Sequence, residues 1–153
     1  MSTKDEVRAA VVEVASLATR TIAIMTHDLE PDIYAHDDFL ETVKRFLLAR
    51  SFARIRVLII DPSRALKNGN EFVSIGRRLN SYIEFRNAKE EYRNHPEAFC
   101  IADATALVYR TDANRWHGMA DTYEPAVARK YLDIFEEIWT ASDPGPEFRQ
   151  QHL

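Results

Sequence analysis

Side chains that transfer protons or bind polar ligands follow the apolar segments of this chain. His27 and Asp28 come directly after an apolar run that begins near residue 21, Asp61 follows a second run, and His95 stands shortly before a third. If the first two segments are parallel neighbours, these side chains share the sheet edge at which α/β proteins bind ligands. The pattern indicates a polar ligand-binding pocket. The alternative is that Asp28 and Asp61 only cap loops and helices.

The histidines and carboxylates also raise the question of a metal centre. His27, His95, His117 and Asp121 carry atoms that can bind zinc, but they lack the close spacing of zinc motifs. We therefore expect surface histidines, no metal and no cofactor. Cys100, the one cysteine, stands among apolar residues, which predicts a buried and inert thiol. A single cysteine excludes an intrachain disulfide and fits a reducing compartment.

Size and composition are those of an ordinary globular domain. The chain has 153 residues, of which 46% are hydrophobic and 29% charged, so residues 1–153 are expected to form one domain. No apolar run approaches the roughly 20 residues that a membrane-spanning helix needs. The first residues are polar and acidic, unlike a secretory signal. These features predict a cytoplasmic protein of bacterial type without a membrane span.

Arginines are concentrated in two short segments. They gather between residues 50 and 56 and again at Arg77 and Arg78, although the formal net charge is -4. The simplest interpretation is that they are solvated ends of helices and strands. The alternative is nucleic-acid binding without catalysis through these arginines, Arg54 and Arg56 included, which predicts an affinity that falls steeply with salt. The negative total charge disfavours nucleic acid without excluding it.

Periodic apolar patterns predict the elements that position these residues. Thr3 and Glu6 have the spacing of a capping box at the start of the first helix, and Asp38 is the predicted N-cap of the second. A weaker third helix is interrupted at 68–70, and the turn at 143–146 ends the last helix before a terminal tail. The predicted strands span 21–26, 54–60, 82–86, 98–102, 106–109 and 116–120.

The order of these elements indicates the fold class. Helices and strands alternate in the first half of the chain, which favours parallel pairing with right-handed crossovers. In the second half, strands follow one another directly, which favours antiparallel hairpins. We predict an α/β fold with a mixed, mostly parallel β-sheet flanked by helices on both faces.

A strand that ends near His27 is followed by an amphipathic helix and by the apolar strand at 55–61. In this order of elements the chain resembles the first half of a phospholipase D family domain, and the resemblance covers about residues 18–141. In that family a segment of the form H-x-K-x4-D follows a few dozen residues later and runs into an apolar strand and a hairpin. Here the segment from His95 to Asp103 stands at that place. The resemblance implies a phospholipase D-like half-domain.

The catalytic signature of that family is degenerate in this chain. Glu97 occupies the lysine position, and Asp103 comes eight residues after His95 instead of seven. The family's G-S-x-N segment falls near residues 110–113, where Thr111 alone resembles the serine chemically. The resemblance therefore implies His95 as the candidate catalytic residue and Thr111 as a candidate ligand-binding residue.

The chemistry of the family explains why the change to Glu97 matters. One histidine attacks phosphorus, a second histidine from the other half or a second subunit protonates the leaving oxygen, and lysines hold the developing negative charge. A carboxylate at the lysine position repels phosphate instead. The resemblance thus implies a non-catalytic module that binds a protein partner or a phosphate-containing ligand, and a homodimer, because half-domain members pair. The alternative is a divergent phosphodiesterase or nuclease that acts as a homodimer through His95.

Overall fold

Seven strands form one sheet in the part of the chain that the structure describes. The computed structural model of the protein describes residues 1–66 and 70–144. The strands are β1 Thr21–Thr26, β2 Arg54–Ile59, β3 Ile83–Asn87, β4 Ala98–Ala102, β5 Ala106–Arg110, β6 Met119–Asp121 and β7 Asp143–Pro144. The helices are α1 Lys4–Ser16, α2 Pro31–Tyr34, α3 Asp37–Ala49, α4 Pro62–Leu66, α5 Glu71–Arg78 and α6 Pro125–Ala141, with a 3-10 turn at Glu90–Tyr92.

The order of the strands across the sheet is β6-β5-β4-β1-β2-β3-β7. The pairs β1–β2 and β2–β3 are parallel. The pairs β1–β4, β4–β5, β5–β6 and β3–β7 are antiparallel. The predicted α/β fold with a mixed sheet and helices on both faces is confirmed. The expectation that the sheet is mostly parallel is wrong. Helical crossovers join only β1 to β2 and β2 to β3, while β4, β5 and β6 are joined directly, and direct connections permit only antiparallel pairing.

Side chains of the central strands alternate between two buried faces. Ile22 and Ile24 of β1 belong to the core formed with α1, α3 and α5, whereas Ala23 and Met25 belong to the core formed with α6. Phe135 of α6 is fully buried in this second core. Because helices cover both faces, consecutive positions along a strand are apolar, as the sequence pattern of β1 and β2 predicted.

The ends of some elements differ from the prediction. His36 rather than Asp38 caps α3, because its ring nitrogen Nδ1 accepts a hydrogen bond from the Asp38 backbone N–H at 3.3 Å. The last helix ends at Ala141 as expected, but residues 143–144 also pair with β3 as the short strand β7. Of the predicted interruption at 68–70, the structure describes Asn70, whose side-chain oxygen accepts hydrogen bonds from the backbone N–H groups of Phe72 and Val73 and caps α5. The rest of that segment and the predicted terminal tail lie outside the described residues.

The turn between β4 and β5 is tied to the start of β1 by Asp103. Its Oδ1 accepts hydrogen bonds from the backbone N–H groups of Arg20 and Thr21 at 2.8 and 3.0 Å, and its Oδ2 accepts from the backbone and hydroxyl of Thr19. Burial by itself raises the pKa of Asp103, but the hydrogen bonds outweigh it and the pKa is lowered. The carboxylate therefore joins two segments that are more than 80 residues apart in sequence.

Replacing Asp103 with alanine is expected to lower the free energy of unfolding by about 1.5–3 kcal/mol at neutral pH, because several hydrogen bonds to one charged acceptor are lost. The folded pKa lies below the unfolded one, so this stabilisation is fully present above about pH 3.9 and is lost as the pH falls through the folded pKa. Urea unfolding at neutral and acidic pH measures both effects.

Asp103→Asn is the control for this experiment, because asparagine tolerates the positive φ of 54° at this position and keeps one acceptor oxygen. It is expected to retain more stability than the alanine variant at neutral pH. A wild-type unfolding midpoint for Asp103→Ala would show that these hydrogen bonds contribute nothing.

Candidate functional site

Three of the predicted site residues meet at one edge of the sheet. Asp61 follows β2 and donates its backbone N–H to the carbonyl oxygen of His27, which follows β1, at 2.7 Å. β4 is antiparallel to β1, so its first residues lie beside the end of β1, with Phe99 opposite Met25. His95, just before β4, therefore lies against His27, whose Nε2 is 2.8 Å from the His95 carbonyl oxygen. We call this edge the histidine edge.

The hydrogen bond between these two residues determines the tautomer of His27. A carbonyl oxygen only accepts hydrogen bonds, so His27 Nε2 carries the proton in this contact. In the neutral ring, Nδ1 of His27 is then a hydrogen-bond acceptor. The histidine edge thus holds an imidazole whose orientation is set by the backbone of the other histidine segment.

Asp28 and Asp61 make contacts of the kind that the structural alternative predicted. The carboxylate of Asp28 lies 3.1 Å from a guanidinium nitrogen of Arg64, and Asp61 Oδ1 accepts a hydrogen bond from the Ser63 hydroxyl at 2.8 Å. Both aspartates are half-buried and hold the loop that starts α4. Asp61 contributes negative charge to the histidine edge, whereas Arg64 offsets the charge of Asp28. The role of both aspartates in ligand binding stays a prediction.

His95 and Glu97 form the chemically most unusual pair of the histidine edge. His95 Nε2 lies 3.2 Å from Glu97 Oε1, and both side chains are about four-fifths buried. The nitrogen is within ion-pair distance, but it is buried without a well-directed hydrogen bond among the described residues. Burial and then the nearby Glu97 carboxylate raise the pKa of Tyr131 in α6 to about 12. A phenol, a carboxylate and an imidazole are thus grouped beside the end of β1.

A buried ion pair between Arg110 and Glu30 was not predicted from the sequence. Arg110, the last residue of β5, is only 4% exposed, and its two terminal nitrogens lie 2.6 and 3.2 Å from the two carboxylate oxygens of Glu30. It also donates to the carbonyl oxygens of Ala113 and Arg115 and lies 5.0 Å from the ring centre of Trp116. Burial raises the pKa of Glu30, and Arg110 opposes this rise. The sequence feature that could have indicated this ion pair is a single arginine, Arg110, at the end of an apolar strand.

Thr111 lies in a different depression from the histidines. It is exposed and lines an open hollow of about 290 Å³ together with Met1, Tyr109, His117, Gly118 and Met119. The residues that line this hollow do not include His27, Asp28 or Asp61. The structure therefore brings Asp61 and His95 next to His27, while Thr111 lies in a separate surface depression.

The described residues give no support for a metal centre or a reactive cysteine. Within 1–66 and 70–144, no three histidine, cysteine or acidic side chains are grouped closely enough to hold a metal ion. Cys100 is buried in β4, and burial raises its pKa to about 12, so it remains a neutral thiol at physiological pH. Among the helices that the structure describes, none is long and apolar enough to cross a bilayer.

Comparison with known proteins identifies a family and a fold. Residues 3–151 match the family described as a domain of unknown function, DUF7931. No curated protein matches the chain significantly. Among solved structures, the chain is similar to Nuc from Salmonella typhimurium, a phospholipase D family member, with 16% identity and a TM-score of 0.59 over 90% of each chain. NucT from Helicobacter pylori has 12% identity and a TM-score of 0.61, over 93% of this chain and 92% of its own.

A third similar structure belongs to a DNA-binding protein. TrmBL2, an archaeal chromatin protein with a novel mode of DNA binding, has 12% identity and a TM-score of 0.65. The match covers 95% of this chain but 52% of TrmBL2, so this chain spans about half the length of that protein. At such identities the three structures show the fold alone. The predicted resemblance to a phospholipase D-like half-domain is confirmed at that level.

Proposed function

The chain belongs to the DUF7931 family, and from its phospholipase D-like fold we propose that it is a non-catalytic module that binds a ligand or partner protein at the histidine edge. The observation that carries this proposal is the carboxylate of Glu97, 3.2 Å from His95 Nε2. A phosphodiester at His95 would meet a negative charge where a phospholipase D-like enzyme supplies a lysine. Loss of one such charge-stabilising group costs about 10²–10³ in rate.

The nearby buried arginine does not replace the missing lysine. The guanidinium of Arg110 is engaged by both oxygens of Glu30 and by two backbone carbonyls. Turning it toward a phosphate would leave the Glu30 charge buried without its partner, which is unfavourable. The charges therefore favour a ligand that donates hydrogen bonds, such as an amine or guanidinium of a partner protein, over a phosphate-containing ligand.

One observation favours a second candidate function, a divergent phosphodiesterase or nuclease. His95 Nε2 has no well-directed hydrogen bond among the described residues, so no protein group engages this nitrogen. It is buried, and attack on phosphorus would require a rearrangement that uncovers it. Glu97 would then orient the imidazole ring of His95, whereas the lysine at this position in a phospholipase D-like enzyme binds phosphate. This function needs a second histidine to protonate the leaving oxygen, and a second copy of the chain in a homodimer would supply it.

Hydrolysis of bis(p-nitrophenyl) phosphate and of single-stranded DNA, compared between wild type and His95→Ala, separates the two functions. The non-catalytic module predicts background rates for both proteins. Activity that is present in the wild type and lost by at least about a hundredfold in a folded His95→Ala variant would overturn the proposal and establish the phosphodiesterase.

Glu97→Lys tests the electrostatic argument directly. We expect this variant to bind inorganic phosphate measurably by calorimetry, whereas the wild type and the uncharged control Glu97→Gln do not. The reason is that only lysine places a positive charge beside His95. Equal phosphate binding by the wild type and Glu97→Lys would show that Glu97 does not govern which ligands this edge accepts.

A further inference from the structure

The opposite edge of the sheet carries exposed apolar side chains among arginines. Leu48, at the end of α3, is 87% exposed, Phe52 in the following turn is 55% exposed, and Leu17 after α1 is 45% exposed. Such side chains are usually buried, and a group of them with basic neighbours marks an interaction surface. We call this surface the apolar–basic patch, which consists of Leu17, Leu48, Phe52, Arg20, Arg45, Arg50 and Arg54.

The backbone brings these residues to one end of the molecule. Arg20 and Arg54 stand at the starts of β1 and β2, where the Arg54 N–H donates to the Arg20 carbonyl oxygen at 3.0 Å. The guanidinium of Arg20 lies 6.0 Å from the ring centre of Phe52. The ends of α1 and α3 border a shared open groove of about 140 Å³, which Arg45 also lines. The patch thus continues across both helix ends.

The arginines of the patch are not neutralised by the protein. Among the described residues, no carboxylate lies within ion-pair distance of the four arginines of the patch. The Arg54 guanidinium donates to the backbone carbonyl oxygens of Ser51 and Ala53 and lies 5.1 Å from the ring centre of Tyr82. Asp103 lies at the same end, but its carboxylate accepts hydrogen bonds from the backbone of residues 19–21. The patch therefore presents positive charge although the chain as a whole has a net charge of -4.

We propose that the apolar–basic patch docks onto an anionic lipid surface. The arginines complement acidic headgroups, and the projecting leucines and phenylalanine enter the boundary between headgroups and acyl chains. Leu48 and Phe52 are both largely exposed, so they suit insertion into a soft surface. Nucleic acid would engage the arginines and Phe52 but would leave the leucines in water. This mode of binding needs no membrane-spanning helix.

The experiment is co-sedimentation of the full chain with vesicles. One set contains equal parts of phosphatidylcholine and phosphatidylglycerol, and the other contains phosphatidylcholine alone. We expect the wild type to bind the anionic vesicles and to remain in solution with the neutral ones. The double variant Leu48→Ser/Phe52→Ser is expected to bind about tenfold or more weakly, because it loses most of the inserted apolar area. Arg45→Gln/Arg50→Gln is expected to lose about fivefold for each arginine.

Met119→Ser is the matched control, because Met119 is 60% exposed but lies in β6, opposite Tyr109 near the other end of the sheet. It should bind like the wild type, and all variants should show the wild-type thermal midpoint because the changed side chains are exposed.

Three results would overturn the proposal. The first is no binding to anionic vesicles, or equal binding to both sets. The second is unchanged binding of Leu48→Ser/Phe52→Ser. The third is binding of a single-stranded oligonucleotide that depends on the arginines and displaces the vesicles, which would assign the patch to nucleic acid. The patch and the histidine edge lie at opposite ends of the strands, so failure of either proposal leaves the other standing.

Discussion

Arg110→Met is expected to destabilise the protein by about 3–5 kcal/mol, because it leaves the Glu30 carboxylate buried without its partner. Arg110 is 4% exposed and makes a two-point contact with Glu30, so its loss removes several hydrogen bonds together. Equilibrium unfolding in urea at neutral pH measures this loss. The pair links the end of β5 to the residue before α2, which are 80 positions apart in sequence.

A double-mutant cycle separates the cost of an unpaired charge from the contribution of the pair. Glu30→Gln keeps a polar partner for Arg110 and is expected to cost less than Arg110→Met. Arg110→Met/Glu30→Leu removes both charges and should recover much of the stability lost in the single variant, because apolar replacement of a buried pair is often nearly neutral. A double variant as unstable as Arg110→Met would mean that packing around Arg110, including the Trp116 ring, causes the loss instead.

Phe135→Ala is expected to cost about 3–5 kcal/mol, the usual loss for a buried aromatic side chain in a core. Phe135 is fully buried, stacks on Trp139 with ring centres 5.3 Å apart, and meets Phe99 of β4 at 6.4 Å. The Arg56 guanidinium lies 4.9 Å from its ring centre. The substitution therefore leaves a cavity between α6 and the sheet.

Phe52→Ala is the matched control, because it makes the same change at a phenylalanine that is 55% exposed. It should alter the free energy of unfolding by less than about 0.5 kcal/mol. Tyr131, which also belongs to α6, lies near Glu97. Loosening the helix through Phe135→Ala should therefore disturb the histidine edge as well. If Phe135→Ala and Phe52→Ala lowered the free energy of unfolding equally, burial of the Phe135 ring would not explain its contribution to stability.

The arrangement of charge connects the two proposals. Asp61 and Glu97 place negative charge at the histidine edge, where Arg64 offsets the charge of Asp28, while arginines without an acidic partner in the described part of the chain stand at the opposite edge. A molecule docked on an anionic surface through the apolar–basic patch would turn the histidine edge away from that surface. The edge would then be open to a partner that donates hydrogen bonds. The arginines of the segment 50–56 thus differ in role, since Arg56 is paired with Glu136 of α6, whereas Arg54 has no acidic partner among the described residues.

The elements that pack locally were predictable from the sequence. The apolar runs of β1 and β2 are continuous because helices cover both faces of the sheet, and this pattern does not depend on which strands are neighbours. Parallel pairing of β1, β2 and β3 followed from the intervening helices. The meeting of Asp61 with His27 followed in turn, because the ends of parallel neighbours lie at one edge.

Contacts between distant segments were decided only by the tertiary structure. The antiparallel position of β4 beside β1, the pairing of 143–144 with β3, and the ion pair of Arg110 with Glu30 each join segments far apart in sequence. Periodicity reports whether a position is buried, but not which partner buries it. A strand edge can accept several neighbours and a buried arginine several carboxylates, and the choice depends on the free energy of the whole packed arrangement.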